Sequence, residues 1–193
     1  MNDVSIEQHE LVAEQFEYTG ALTVLTTTAP REQVALALGV DLEKPLGHGE
    51  RGGDSATAWA IRDVPGGVFA IEVSGYGDPP SATLTSLAAE GGAAAVVRNN
   101  VQARMRFGCA KDGHVVFDAD DYMYEDPSRV PVSLRPLFDL VHDDLTGETD
   151  DDAPDEFAVG LAMSEVITGI RLSADDVAAI QESRFFMVEA AGH

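Results

Sequence analysis

The clearest structural signal in the chain is a β-hairpin. Residues 56–64 (ATAWAIRDV) and 68–74 (VFAIEVS) are apolar and rich in strand formers, and Pro65-Gly66-Gly67 supplies the turn between them. Two strands alone cannot bury their apolar side chains, so the rest of the chain has to supply more sheet and a cover for it. Leu22–Thr27 (LTVLTT) reads as a strand, and Ala94–Asn99 with Arg104–Ala110 read as a second hairpin around an Asn-rich turn. After Lys111-Asp112-Gly113 comes His114–Asp118 (HVVFD), and Phe185–Glu189 (FFMVE) reads as a closing strand.

Helical signals alternate with these. Ser5 and Gln8 form a capping box ahead of a helix over residues 5–17, and Pro30 opens a short helix with Val34, Ala35 and Leu38 inward, stopped by Gly39. Asp78-Pro79-Pro80 starts another, with Asp78 as N-cap, Pro79 at the first helical position and Leu84, Leu87 and Ala88 inward. Pro131–Val141 reads as a short helix and Ala158–Ile170 as a longer one ending near Gly169. Ser173 with Asp176 caps a last one. Residues 41–55 are loop by composition. The expected fold is a single α+β domain over 1–193, with a mostly antiparallel five- to six-stranded sheet and helices packed on one face.

Charge decides which partners are possible. Lys+Arg number 12 against Asp+Glu 34, giving a net charge of -22 in 193 residues. That field repels nucleic-acid phosphates and anionic lipid headgroups and attracts basic protein surfaces. Nine carboxylates and no Lys or Arg fall between Asp139 and Glu156, and the remainder of the chain is acidic too. The loop over 143–155 cannot bury apolar surface, and Asp150, Asp151 and Asp152 read as a solvated connection. Cys109 is the single cysteine, which excludes an internal disulfide and a Cys-rich metal site. The first residues (MNDVSIEQHE) lack a signal-peptide pattern and no apolar run is long enough to span a bilayer, so a cytoplasmic location is expected.

Motifs that carry chemistry are scarce. Gly75-Tyr76-Gly77 stands between a strand and a helix, but Pro79 and Pro80 remove two backbone donors and Asp78 puts a carboxylate where a phosphate would sit. Asp118, Asp120 and Asp121 could ligate a hard cation, yet the calcium-loop template fails at Met123 and Arg129. The histidines show no metal spacing, and His48 in the Gly47–Gly53 loop reaches a ligand only if that loop covers a pocket. Cys109 on a strand reads as packed. Arg98, Arg104 and Arg106 gather on one hairpin beside Asn99 and Asn100. They are either an anion or carboxylate site, with Trp59 nearby, or paired internally with neighbouring acids.

Two stretches, LTSLAAEGGAAAVVRNNVQARMRFGCAKDGHVVFDADD (Leu84–Asp121) and AMSEVITGIRLSADDV (Ala162–Val177), carry a recurring pattern, with Trp59, Gly91-Gly92, Asn99-Asn100 and Thr168–Leu172 at the motif positions. In these the chain resembles an uncharacterised actinobacterial family catalogued as domain of unknown function 6461. It departs from the family pattern where Asn99-Asn100 replace an aromatic followed by Asn. The resemblance implies an α+β bacterial domain and transfers no catalytic residue. The expected function is a non-enzymatic acidic protein-interaction domain, of adaptor or immunity type, acting on a basic partner without cofactor or metal. The alternatives are a small-anion sensor walled by the Arg98–Arg106 face and the Gly47–Gly53 loop, and an enzyme with a metal on Asp118, Asp120 and Asp121.

Overall fold

Eight strands pair edge to edge in the order β2-β8-β3-β4-β1-β5-β6-β7, antiparallel throughout. They are β1 (Leu22–Thr27), β2 (Val40–Pro45), β3 (Ala58–Val64), β4 (Gly67–Glu72), β5 (Ala93–Asn99), β6 (Met105–Lys111), β7 (His114–Asp120) and β8 (Phe185–Val188). This arrangement comes from a computed structural model, which describes residues 4–16, 21–51, 57–100, 102, 104–142 and 154–188. Six α-helices accompany the strands among these residues: α1 (Ile6–Ala13), α2 (Arg31–Leu38), α3 (Ser81–Leu87), α4 (Arg135–His142), α5 (Glu156–Thr168) and α6 (Ala174–Gln181). The acidic residues 143–153 and Gly52 and Gly53 lie outside the described residues.

The sheet is covered on both faces, not one. Alternation along each strand sorts the apolar side chains into two separate cores. Leu22, Val24, Phe69, Val97 and Phe107 meet α1, α4, α5 and α6, while Leu25, Trp59, Val68, Val96 and Phe186 meet α2 and α3. Strands buried on both faces lose the in–out polarity that marks a one-sided sheet, and β1 is buried at all six positions. That is why LTVLTT and AAAVV reveal a strand but not a second layer of helices.

The sheet also has more strands than five or six. The strand hidden from composition is β2, whose VDLEKP looks like loop. It is an edge strand pairing only with β8, and Lys44 and Pro45 at its end discourage further strand addition. Only Val40 is fully inward there. The short helix over 131–141 begins later, at Arg135, after two 3₁₀ turns.

Two helices follow their caps, whereas Ser5 stands at the N-cap of α1 without a side-chain capping bond, so the expected box with Gln8 does not form. Asp155 accepts from Ala158 N at 2.9 Å to start α5, which ends at Gly169 in the left-handed region (φ 72°). Ser173 and Asp176 form the expected reciprocal capping box of α6. α3 differs: it begins at Ser81 behind Pro80, and Asp78 is used elsewhere.

α5 sits closest to the sheet. A Cβ added at Gly160 would lie 2.7 Å from Val97 Cγ1 on β5, so a side chain there would lift the helix. In an exposed helix Gly→Ala stabilises by about 1 kcal/mol. Gly160→Ala is expected to do the opposite and destabilise by about 1–3 kcal/mol through overpacking, read from the urea midpoint. A stabilised variant would contradict the close seating of α5.

Candidate functional site

On the α2/α3 face one line of directly opposed residues crosses seven strands: Phe186, Trp59, Glu72, Thr23, Arg98, Arg106 and Asp120. Its middle is polar and deeply covered, because residues 74–80 fold down onto it. Glu72 is fully buried, and its carboxylate accepts from the backbone N–H groups of Ser74 (2.8 Å), Gly75 (3.0 Å) and Gly77 (3.1 Å) and from the Ser74 hydroxyl. Thr23 donates its hydroxyl to the Gly77 carbonyl at 2.7 Å. Gly77 is required by this seating, since a Cβ would come within 2.6 Å of Glu72 Cγ and 2.9 Å of the Trp59 ring.

Arg98 and Arg106 continue the same structure. Arg98 donates to Asp78 (3.1 Å) and the Gly75 carbonyl (2.7 Å). Arg106 takes Asp118 in a two-pronged pair (2.9 Å each), binds Asp78, and donates to the Pro79 carbonyl at 2.8 Å. Burial alone would lower the Arg106 pKa, but Asp118 and Asp78 outweigh it and hold it above the ordinary value. Burial likewise acts to raise the Asp118 pKa, and hydrogen bonds from Arg106 and Ser81 hold it below the usual carboxylate range. Gly108 makes room for the pair, since a Cβ would stand 2.9 Å from Asp118 Oδ1.

The sequence candidates therefore separate. Arg98 and Arg106 come together, but as internal pairs that pin residues 74–80 and α3 to the sheet, while Trp59, separated from Arg98 by β4 and β1, is 2% exposed. Arg104 lies outside β6 and is exposed, as is His48. Asp118 is committed to Arg106, while Asp121 accepts from Met105 N at 3.2 Å. Among the described residues no three His, Cys, Asp or Glu are placed to hold a metal ion. Cys109 is fully buried, and burial pushes its thiol up to about 12. On the other face His9 Nε2 lies 3.1 Å from Glu165, whose other oxygen accepts from Arg171, joining α1 to α5. No helix among the described residues is long and apolar enough to cross a membrane.

A different set of arginines borders open space. Where β8 begins, β3 runs on past it, and a cleft of about 470 Å³ opens between β3, β8, β2 and the start of α2. Arg31, Arg62 and Arg184 line it together with Asp63 and Ser183, over Ile61 and Phe186. Arg31 and Arg184 are remote in sequence and share no motif, and Arg62 lies in the middle of a strand signal. The β3–β8 pairing and the packing of α2 against β3 and β2 bring them together.

A family model described as a family of unknown function (DUF6461) matches residues 45–191. No match was found among curated proteins or among solved structures.

The Arg106–Asp118 pair has a definite pH signature. A carboxyl held low in the folded state stabilises it fully above the unfolded value of about 4, and that stabilisation disappears as pH falls toward the folded pKa. Asp118→Asn is expected to cost about 2 kcal/mol at pH 7. It should also flatten the fall in urea midpoint between neutral and acid pH. An unchanged acid slope would show that the pair does not contribute.

Proposed function

Since this chain belongs to family of unknown function 6461, which lends it no activity, we propose from its own surface that it is a non-enzymatic acidic interaction domain for a basic protein partner. The observation that carries this reading is the net charge of -22. The fold neutralises little of that charge: Arg98 and Arg106 are engaged with Asp78 and Asp118, Arg129 with Glu125 and Arg171 with Glu165, leaving a large excess of carboxylates. Long-range attraction of this kind speeds encounter more than it tightens the final complex, and it weakens with salt over roughly 8–10 Å.

Apolar anchors are available on the same ground. Tyr124, Val132 and Leu140 are 69%, 75% and 40% exposed in the segment around α4, among Asp126 and Asp139. A partner with cations around an apolar contact fits such a surface, as an adaptor or an immunity-type inhibitor would require.

Immobilised protein is expected to retain a basic protein from extract of its source cells at low salt and release it as salt rises. A Y124S/V132S variant should lose that protein at every salt concentration, which separates a specific partner from simple ion exchange. Retention of no basic protein, or release indifferent to salt, would overturn the reading.

A further inference from the structure

We propose that the cleft between the start of β8, the end of β3 and the N-terminal turn of α2 is a binding site for a small organic oxyanion, with Arg31 and Arg184 as its anion-holding residues. This does not depend on the basic-partner reading and concerns a different surface.

Convergence of cations makes the cleft stand out. The chain has ten arginines and two lysines against 34 acids. Arg51, Arg104 and Arg135 enter no ion pair among the described residues, but they do not line this cleft. Arg31, Arg62 and Arg184 likewise enter no ion pair among the described residues, and all three border one cleft. Guanidinium groups gathered this way repel one another until an anion lies among them. The Nε of Arg31 is moreover buried without a hydrogen-bond partner, as is that of Arg98, whose other nitrogens are held by Asp78 and the Gly75 carbonyl. Such a donor costs about 1–3 kcal/mol of lost hydration unless something accepts from it. A planar guanidinium with forked donors suits the oxygens of a phosphate or carboxylate.

The remaining walls restrict the ligand further. Alternation along β3 places Asp63, not Arg62, on the same face as Ile61, so Arg62 meets the cleft at its rim. Ile61 and Phe186 form an apolar floor, and the volume of about 470 Å³ accepts a small organic body in addition to the anionic group. Asp63 repels a bare anion and would have to be offset by the arginines. The ligand class that matches is a phosphomonoester or carboxylate carried on a compact apolar body.

Phenyl phosphate, inorganic phosphate and benzoate serve as probes in calorimetry on the intact protein. Phenyl phosphate is expected to bind best, because inorganic phosphate lacks the apolar body and benzoate has the weaker charge. A benzoate preference would keep the site and assign it a carboxylate ligand. R31Q and R184Q should each weaken binding at least tenfold. R129Q removes the same charge from an exposed pair remote from the cleft in sequence and should change nothing. Asp63→Asn should tighten binding several-fold by removing the one repelling carboxylate. If R31Q does not fold, as judged by circular dichroism, R184Q and Asp63→Asn still decide. No binding of any probe at millimolar concentration, or equal losses in R129Q and R184Q, would overturn the proposal.

Discussion

The architecture on the α2/α3 face depends on one buried carboxylate. Glu72 lies in the middle of an eight-stranded sheet with no cation beside it, and three backbone N–H groups and a hydroxyl of the next five residues close around it. A buried acid is tolerable only if its oxygens are satisfied, and here the loop that satisfies them is bent by that requirement. Bending brings the Gly75 carbonyl and Asp78 over Arg98 and Arg106, and Arg106 then reaches Asp118 at the sheet edge. The result is a continuous polar seam that ties β4, β5, β6, β7 and α3 together. Gly77 and Gly108 leave the space in which the Glu72 hydrogen bonds and the Arg106–Asp118 pair close.

The seam also divides the cations into two kinds. Arg98 and Arg106 are consumed by the fold, and Arg171 is consumed on the opposite face by Glu165. Arg31 and Arg184 stand at the opposite edge of the sheet, where β8 stops short of the end of β3 and the cover is incomplete. On the two proposals made above, the acidic body would meet a cationic macromolecule over its broad surface and a small anion inside this cleft. The body's own field opposes the second, so affinity there has to come from short-range contact with the guanidinium groups.

Strand positions were legible because β-branched and aromatic runs, punctuated by Gly and Asp turns, carry a local signal. The hairpin at Pro65-Gly66, the Gly39 and Gly169 stops and the Ser173 cap all lie close to where residue chemistry places them. The second helical layer was not legible, because Ala94 and Val96 point opposite to Ala95 and Val97 and all four are apolar. Nor was β2, whose edge position selects charged residues. Asp78 shows a tertiary override: locally it has the chemistry of an N-cap, but two arginines from another hairpin compete for it and win. The cleft depends on a pairing between residues more than a hundred positions apart, and no spacing in the sequence encodes that.

The most direct test of this division of arginines is a ¹⁵N spectrum of the guanidinium Nε–H groups during titration with phenyl phosphate. The account expects the Arg106 signal, whose Nε–H is held by Asp118, to persist and stay in place while the Arg31 and Arg184 signals shift together. Movement of Arg106 ahead of Arg31 would contradict it, because the seam would then be the open anion site and the cleft would not.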